Sequence, residues 1–159
     1  MTTHKIWMMP GWKRPIRSWA AAVLCSLLAI AANANDLSVD QLKARLGSAS
    51  IGDKPHICLQ IAQQQLAEAD KLYTAVEIEN AQAALTDVVT FSELARDYSI
   101  QSHKHQKQTE IAVRLMTRKL NDIMRGLSHD DRPPVHNAIE HLQRVRDDLL
   151  SAMFPKGKK

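Results

Sequence analysis

Seventy consecutive residues of this chain, between Pro55 and Gly126, contain neither glycine nor proline. These two residues interrupt regular backbone most often, so the stretch is expected to form long uninterrupted elements. Alanine, leucine, glutamine, glutamate, lysine and arginine are frequent throughout it, and all have high helix propensity. No sustained alternation of apolar and polar residues indicates strands, and aromatic residues make up only 4% of the chain. The sequence therefore predicts an all-α protein.

Capping residues mark a short first helix. Ser38 and Gln41 have the spacing of a capping box, in which each side chain bonds the backbone of the other residue. The pattern predicts a helix from Val39 to Leu46, and Gly47 is expected to end it.

A second helix is predicted from residue 54 to about Tyr73, with Asp53 as its cap and Pro55 in its first turn. Its apolar residues recur at helical spacing: Ile57, Cys58, Ile61, Ala62, Leu66, Ala69 and Leu72. A turn at residues 73–75 would end this helix. The alternative is a single helix that continues unbroken from Lys54.

Five residues surround this predicted turn: Tyr73, Glu77, Ala81, Ala84 and Leu85. Over about 30 residues, the stretch resembles the helix–turn–helix element of a tetratricopeptide unit. It lacks the glycines and the proline of that unit, and no second copy follows. The resemblance therefore implies a helical hairpin here and no repeat array.

A single long central helix is predicted from about Val76 to Leu127, a length of about 75 Å at 1.5 Å per residue. Its seam alternates steps of three and four residues: Ile78, Ala81, Leu85, Val88, Ser92, Ala95, Ser99, Ser102, Gln106, Thr109, Val113, Met116, Leu120, Ile123 and Leu127. From Ser92 to Thr109 the seam is small or polar, so its burial would remove little apolar surface from water. This middle part is expected to be either a solvated bridge between two packed ends or a hinge.

A final helix is predicted after the polar turn at residues 128–131, with Asp131 as its cap and Pro155 beyond its end. The short connection predicts that it packs antiparallel to residues 107–127, as residues 54–73 should pack against residues 77–97. The expected architecture is two elongated helical hairpins, or a three-helix bundle, that share the long central helix. Such a monomer would have a thin core, which favours dimerisation.

The first 34 residues have the order of a secretory signal peptide. Four cations, Lys5, Lys13, Arg14 and Arg17, precede an apolar run at residues 19–32, and a small-x-small motif ends at Ala34. The run is too short for a comfortable membrane span of about 20 residues. Cleavage after Ala34 and a periplasmic or secreted protein are predicted, and the alternative is an uncleaved N-terminal anchor.

The predicted organisation is therefore a signal peptide at residues 1–34, a short helix and linker at 35–53, a helical domain at 54–154 and a basic disordered tail at 155–159. Cleavage would leave 17 basic and 17 acidic residues, so the calculated pI of about 9.2 gives no argument for nucleic-acid binding. The charges are unevenly placed, with a formal net charge of −5 at residues 35–102 and +5 at residues 103–159. Only Cys58 would remain after cleavage, and its apolar neighbours predict a buried thiol.

Four cations form the principal candidate binding site: Lys107, Arg114, Arg118 and Arg125. Their spacings of 7, 4 and 7 place them within about 20° of one line along a helix. We call this row the basic stripe. It could bind an acidic protein surface, anionic lipid headgroups or the acidic half of this chain. The alternative is a solvated helix face with ordinary Glu110–Arg114 and Arg118–Asp122 pairs.

His103 and His105 are the candidate metal ligands, although a separation of two residues does not place them on one helix face. No nucleotide-binding loop, nucleophile elbow or haem-attachment motif occurs in the chain, so neither catalytic residues nor a cofactor are predicted. Export and the absence of interleaved aromatic residues disfavour nucleic acid as a partner.

The function predicted from these features is that of an exported non-enzymatic helical protein. It would act by association with an envelope protein or with itself, as a homodimer. The alternative hypotheses are a periplasmic sensor that responds to a metal or small ligand, and an enzyme with a pocket that the sequence does not reveal.

Overall fold

The computed structural model describes residues 37–155, which form five α-helices and no strand. The predicted all-α class is confirmed. Numbered in chain order, the helices are α1 (Val39–Ser48), α2 (Lys54–Thr74), α3 (Ile78–Ser102), α4 (Gln106–Gly126) and α5 (Arg132–Met153). None of these helices is both long and apolar enough to cross a membrane. The predicted signal peptide and residues 156–159 of the predicted tail lie outside the described residues.

The capping box at the start of α1 is confirmed. The Ser38 hydroxyl accepts the Gln41 amide at 3.3 Å, and the Gln41 side-chain oxygen accepts the Ser38 amide at 3.0 Å. Both bonds satisfy backbone amides that have no partner within the helix. α1 continues through Gly47 to Ser48, which is two residues further than predicted.

The predicted side-chain caps at Asp53 and Asp131 are wrong. Both residues hold the N-cap position, but neither carboxylate accepts a backbone amide of its helix. Each instead accepts a serine hydroxyl three residues earlier, from Ser50 at 2.6 Å and from Ser128 at 2.7 Å. An N-cap side chain usually reaches the following amides from an extended backbone. Asp53 and Asp131 instead have helical backbones.

The turn between α2 and α3 confirms the predicted hairpin. The Glu77 amide donates to the Leu72 carbonyl at 2.9 Å and the Val76 amide to the Tyr73 carbonyl at 3.1 Å, which is the Schellman pattern at a helix end. This motif needs a left-handed residue, usually glycine, yet here Val76 takes that position with a φ of 63°. A β-branched side chain is strained in this conformation.

The predicted long central helix is wrong, because the chain breaks it at residues 103–105 into α3 and α4. The break lies within the polar middle, for which a hinge was one of the two expectations. His103 and His105 both take left-handed conformations, with φ of 54° and 61°. The Ser102 hydroxyl donates to the Tyr98 carbonyl at 2.6 Å and accepts the Lys104 amide at 3.3 Å. The bond from the Lys104 amide stabilises the turn, whereas the bond to Tyr98 is of a kind that Ser92 also makes to Val88 inside the unbroken α3. The reversal is favoured by the apolar surface that the two hairpins bury against each other.

The two hairpins, α2–α3 and α4–α5, lie side by side. Lys119 of α4 pairs with Asp70 of α2 at 2.6 Å, and Arg96 of α3 pairs with Asp148 of α5 at 2.9 Å. The first pair joins α2 to α4 and the second joins α3 to α5, and the two helices in each pair run in the same direction. The result is a four-helix bundle with α3 and α4 across its diagonal, and α1 packs on α2. The predicted elongated arrangement is therefore wrong, and so is its thin core.

The polar middle of the predicted seam is buried, and the predicted solvated bridge is therefore wrong. Ser92, Ser99 and Thr109 are all fully buried, and the Ser99 and Thr109 hydroxyls are hydrogen-bonded across α3 and α4 at 2.8 Å. The Ser92 hydroxyl donates to the Val88 carbonyl at 2.7 Å. Small side chains allow the helices to approach closely, and each hydroxyl has a partner, so burial leaves no unpaired polar group here.

We expect Ser99→Leu to lower the free energy of unfolding by about 2 kcal/mol, because the larger side chain must enter a filled core and Thr109 loses its partner. Chemical denaturation measures this change. Ser151→Leu, at an exposed position of α5, is the matched control and should change stability by less than about 0.5 kcal/mol. Equal stability of the two variants would contradict a buried seam.

We expect Val76→Gly to raise the free energy of unfolding by about 1 kcal/mol, because glycine removes the cost of a left-handed β-branched residue. The adjacent Ala75 has a right-handed backbone, so Ala75→Gly should lower stability by up to about 1 kcal/mol. Thermal and denaturant unfolding of the two variants provide the comparison. Destabilisation by both glycines would show that Val76 is not strained.

Candidate functional site

The basic stripe lies on the outward face of α4. Lys107, Arg114, Arg118 and Arg125 are all exposed. The opposite side of α4 supplies buried core residues, which are Val113, Met116, Leu120 and Ile123. Because α2 and α5 cover α4 from the core side, packing leaves the stripe facing solvent along about 27 Å of helix.

Two of the four cations pair with carboxylates on the same helix. Arg114 lies 3.7 Å from Glu110, as predicted, and Arg125 donates to Asp122 at 3.0 Å. Of the two pairs expected for the alternative of a solvated face, Glu110–Arg114 forms and Arg118–Asp122 does not, because Asp122 pairs with Arg125. Among residues 37–155, neither Lys107 nor Arg118 forms an ion pair, so both charges are available to a partner.

Glu110 anchors the stripe to the rest of the bundle. It is 8% exposed and accepts Arg146 of α5 at 2.9 Å, while Arg114 approaches the same oxygen. A carboxylate shared by two guanidinium groups ties the register of α4 to that of α5. Sequence reasoning did not find Arg146, because it lies 36 residues from Glu110 and no local spacing connects them.

Leu115 extends the stripe with an apolar group that sequence reasoning also missed. Its side chain is 53% exposed and lies about 60° around the helix from Arg118. Leu115 is a large apolar residue that does not belong to the predicted seam, and this mismatch in the sequence could have identified it as exposed. We call the stripe together with Leu115 the α4 outer face. Arginine is enriched at protein interfaces, and Leu115 adds an apolar group beside the arginines of the stripe.

The bundle places the acidic and basic parts of the chain side by side. Residues 37–102 contain five basic and nine acidic residues, whereas residues 103–155 contain nine basic and seven acidic ones. The first set forms α1, α2 and α3, and the second forms α4 and α5. The charge difference along the sequence therefore becomes a charge difference across the bundle.

His103 and His105 are both exposed, on either side of Lys104. The structure does not bring them together with a third ligand, and no group of three histidine, cysteine or carboxylate side chains within residues 37–155 could hold a metal ion. His105 instead lines an open groove of about 460 Å³ with Arg45, Asp53 and His56. Sequence reasoning missed His56, because its distance along the chain from His105 gives no periodic signal.

Two buried side chains, Cys58 and Tyr73, have pKa values raised by burial. Burial raises the pKa of the Cys58 thiol to about 11, which confirms the predicted buried cysteine and keeps it protonated at neutral pH. The Tyr73 hydroxyl has no hydrogen-bond partner within residues 37–155 and faces a cleft of about 260 Å³ between α2 and α4. Burial, and then the charge of Asp131, raise the pKa of Tyr73.

Comparison of the chain with protein-family models, with curated proteins and with solved structures found no match in any of the three. The α4 outer face combines unpaired cations, an exposed apolar side chain and a rigid helical support.

We expect the Glu110–Arg146 pair to contribute more to stability than the Asp122–Arg125 pair. Glu110 is nearly buried, so its interaction is less screened, whereas both Asp122 and Arg125 are well exposed. Double-mutant cycles with alanine should give a coupling free energy of about 1 kcal/mol for the first pair and about 0.3 kcal/mol for the second. Equal couplings would contradict an anchoring role for Glu110.

Proposed function

We propose that this chain is an exported, non-enzymatic helical protein of the cell envelope that binds another protein, or a second copy of itself, through the α4 outer face. The observation that carries the proposal is the row of four outward cations with Leu115 beside it. Export is supported by the charged, apolar and small-residue pattern of residues 1–34.

The charges of the α4 outer face favour an acidic partner. Lys107 and Arg118 have no ion-pair partner among residues 37–155, so an acidic surface could neutralise both without breaking an existing pair. Arg114 is held by Glu110, which limits the side-chain entropy that binding would cost. Charge complementarity of this kind chiefly sets the rate and the specificity of association.

A second copy of the chain offers such a surface. The α1–α3 side of the bundle exposes carboxylates that include Asp40, Glu68 and Glu79. An α4 outer face that meets this side of another copy would bring opposite charges together. Because the contact would be largely electrostatic, it should weaken as salt shortens the screening length.

We expect a photo-crosslinking side chain at position 115 to capture the partner, because Leu115 lies within the proposed contact. The same group at Gln143, exposed on α5, is the matched control and should give no adduct. An adduct of twice the chain mass identifies self-association, and any other mass identifies an envelope protein. Electrophoresis of envelope fractions and of the purified mature chain measures both.

The adduct at position 115 should weaken when Arg114 and Arg118 are changed to glutamate. It should persist when the same charge change is made at Lys71 and Arg144, two exposed cations on α2 and α5. Absence of any adduct at position 115, or equal adducts at positions 115 and 143, would contradict the proposal.

A further inference from the structure

One end of the bundle is formed by three connected features. These are the loop between α1 and α2, the turn between α3 and α4, and the start of α2. The Lys104 side chain lies over Gly52, where a Cβ atom would be 3.1 Å from Lys104 Cδ. The Lys54 ammonium lies 5.1 Å from the centre of the Tyr98 ring, which fixes the start of α2 against the last turns of α3.

The helix α5 terminates at this same end. Arg96 of α3 pairs with Asp148 of α5, and Glu110 of α4 pairs with Arg146 of α5. These pairs align the last turns of α3 and the first turns of α4 with the last turns of α5. The residue after α5, Phe154, therefore emerges beside the turn between α3 and α4.

Apolar side chains project from this end. Four large apolar side chains of the described residues are exposed, namely Ile51, Val76, Leu115 and Phe154. Two of them, Ile51 at 43% and Phe154 at 71% exposure, lie at this end. Single exposed apolar residues are common on protein surfaces, but here two lie at one end together with several charged side chains.

The charges at this end are predominantly positive. Within the connecting loops and the terminal helical turns (45–57, 99–109 and 150–155), the charged side chains are Arg45, Lys54, Lys104, Lys107 and one carboxylate, Asp53, which accepts the Ser50 hydroxyl. The nearest other carboxylates, which include Glu110, Asp147 and Asp148, lie further from this end. At the opposite end Val76 is exposed, but its turn adjoins the carboxylates of Glu77 and Glu79.

We propose that this basic end, comprising Arg45, Ile51, Lys54, Lys104, Lys107 and Phe154, docks the protein on an anionic lipid bilayer. Lysine and arginine are attracted to anionic headgroups, while an aromatic and an aliphatic side chain enter the boundary between headgroups and acyl chains. Both apolar side chains already project from a folded end, so docking needs no unfolding. This basic end shares only Lys107 with the α4 outer face, and its other residues lie outside that face.

Cosedimentation of the mature chain with vesicles tests this proposal. Vesicles of phosphatidylglycerol and phosphatidylcholine should bind the chain at low salt, and pure phosphatidylcholine should not. High salt should release the chain, because screening weakens the attraction to headgroups. The combined Lys104→Glu and Phe154→Ser change should lower the partition coefficient at least about tenfold, since each charge contributes about fivefold.

The matched control is the combination Lys71→Glu and Val76→Ser, which makes the same chemical changes at the opposite end of the bundle. This variant should bind as the unchanged chain does. Circular dichroism melts should show that both variants are folded. Failure of the unchanged chain to bind anionic vesicles at low salt, or equal losses in the two variants, would overturn the proposal.

A third variant, Arg114→Glu with Arg118→Glu, separates this proposal from the one for the α4 outer face. It should retain vesicle binding within about twofold, because both arginines lie beyond the first turn of α4, away from the basic end. Loss of vesicle binding in this variant, with retention in the Lys104 and Phe154 variant, would assign the lipid contact to the basic stripe and overturn the present inference.

Discussion

The reversal of the chain at residues 103–105 determines the rest of the structure. Continued as a helix, these residues would hold the two hairpins far apart, and each would bury only one side of its helices. The reversal brings the Ser99 and Thr109 hydroxyls within 2.8 Å and encloses them in the core. The left-handed conformations at His103 and His105 cost conformational energy, which the apolar surface buried between the hairpins offsets.

The surface properties follow from this arrangement. Once the hairpins lie side by side, the outer side of α4 is the one side that neither α2 nor α5 covers, and its cations face outward together. The same reversal gathers the loop between α1 and α2 and the end of α5 at one end of the bundle. Charged residues that are far apart in sequence thereby form two positive surfaces, one along a helix and one at an end, which meet at Lys107.

Local patterns in the sequence were sufficient for much of the fold. Helical composition, the capping box at Ser38 and the turn after Tyr73 depend on neighbouring residues, and the structure confirms all three. The periodicity of the seam did not distinguish a continuous helix from a break at residues 103–105, because the apolar and small residues keep the same spacing on both sides of it. Polar seam residues suggested exposure, whereas their hydroxyls are satisfied by partners that only the reversal supplies. For the candidate site, residue spacing identified the four cations. The exposure of Leu115 and the pairing of Arg146 with Glu110 depend on how α4 packs against its neighbours, so spacing alone did not identify them.

The distance between α3 and α4 tests this account most directly. Spin labels at Thr86→Cys and Asp122→Cys, in a Cys58→Ala background, report it through dipolar spectroscopy, because both positions are exposed. The reversed chain places these positions at one level of the bundle, and the label separation should be below about 35 Å, since packed helix axes are about 8–10 Å apart between neighbours. An unbroken helix would separate the two positions by about 54 Å. A distance near that larger value would contradict the four-helix bundle and both surfaces inferred from it.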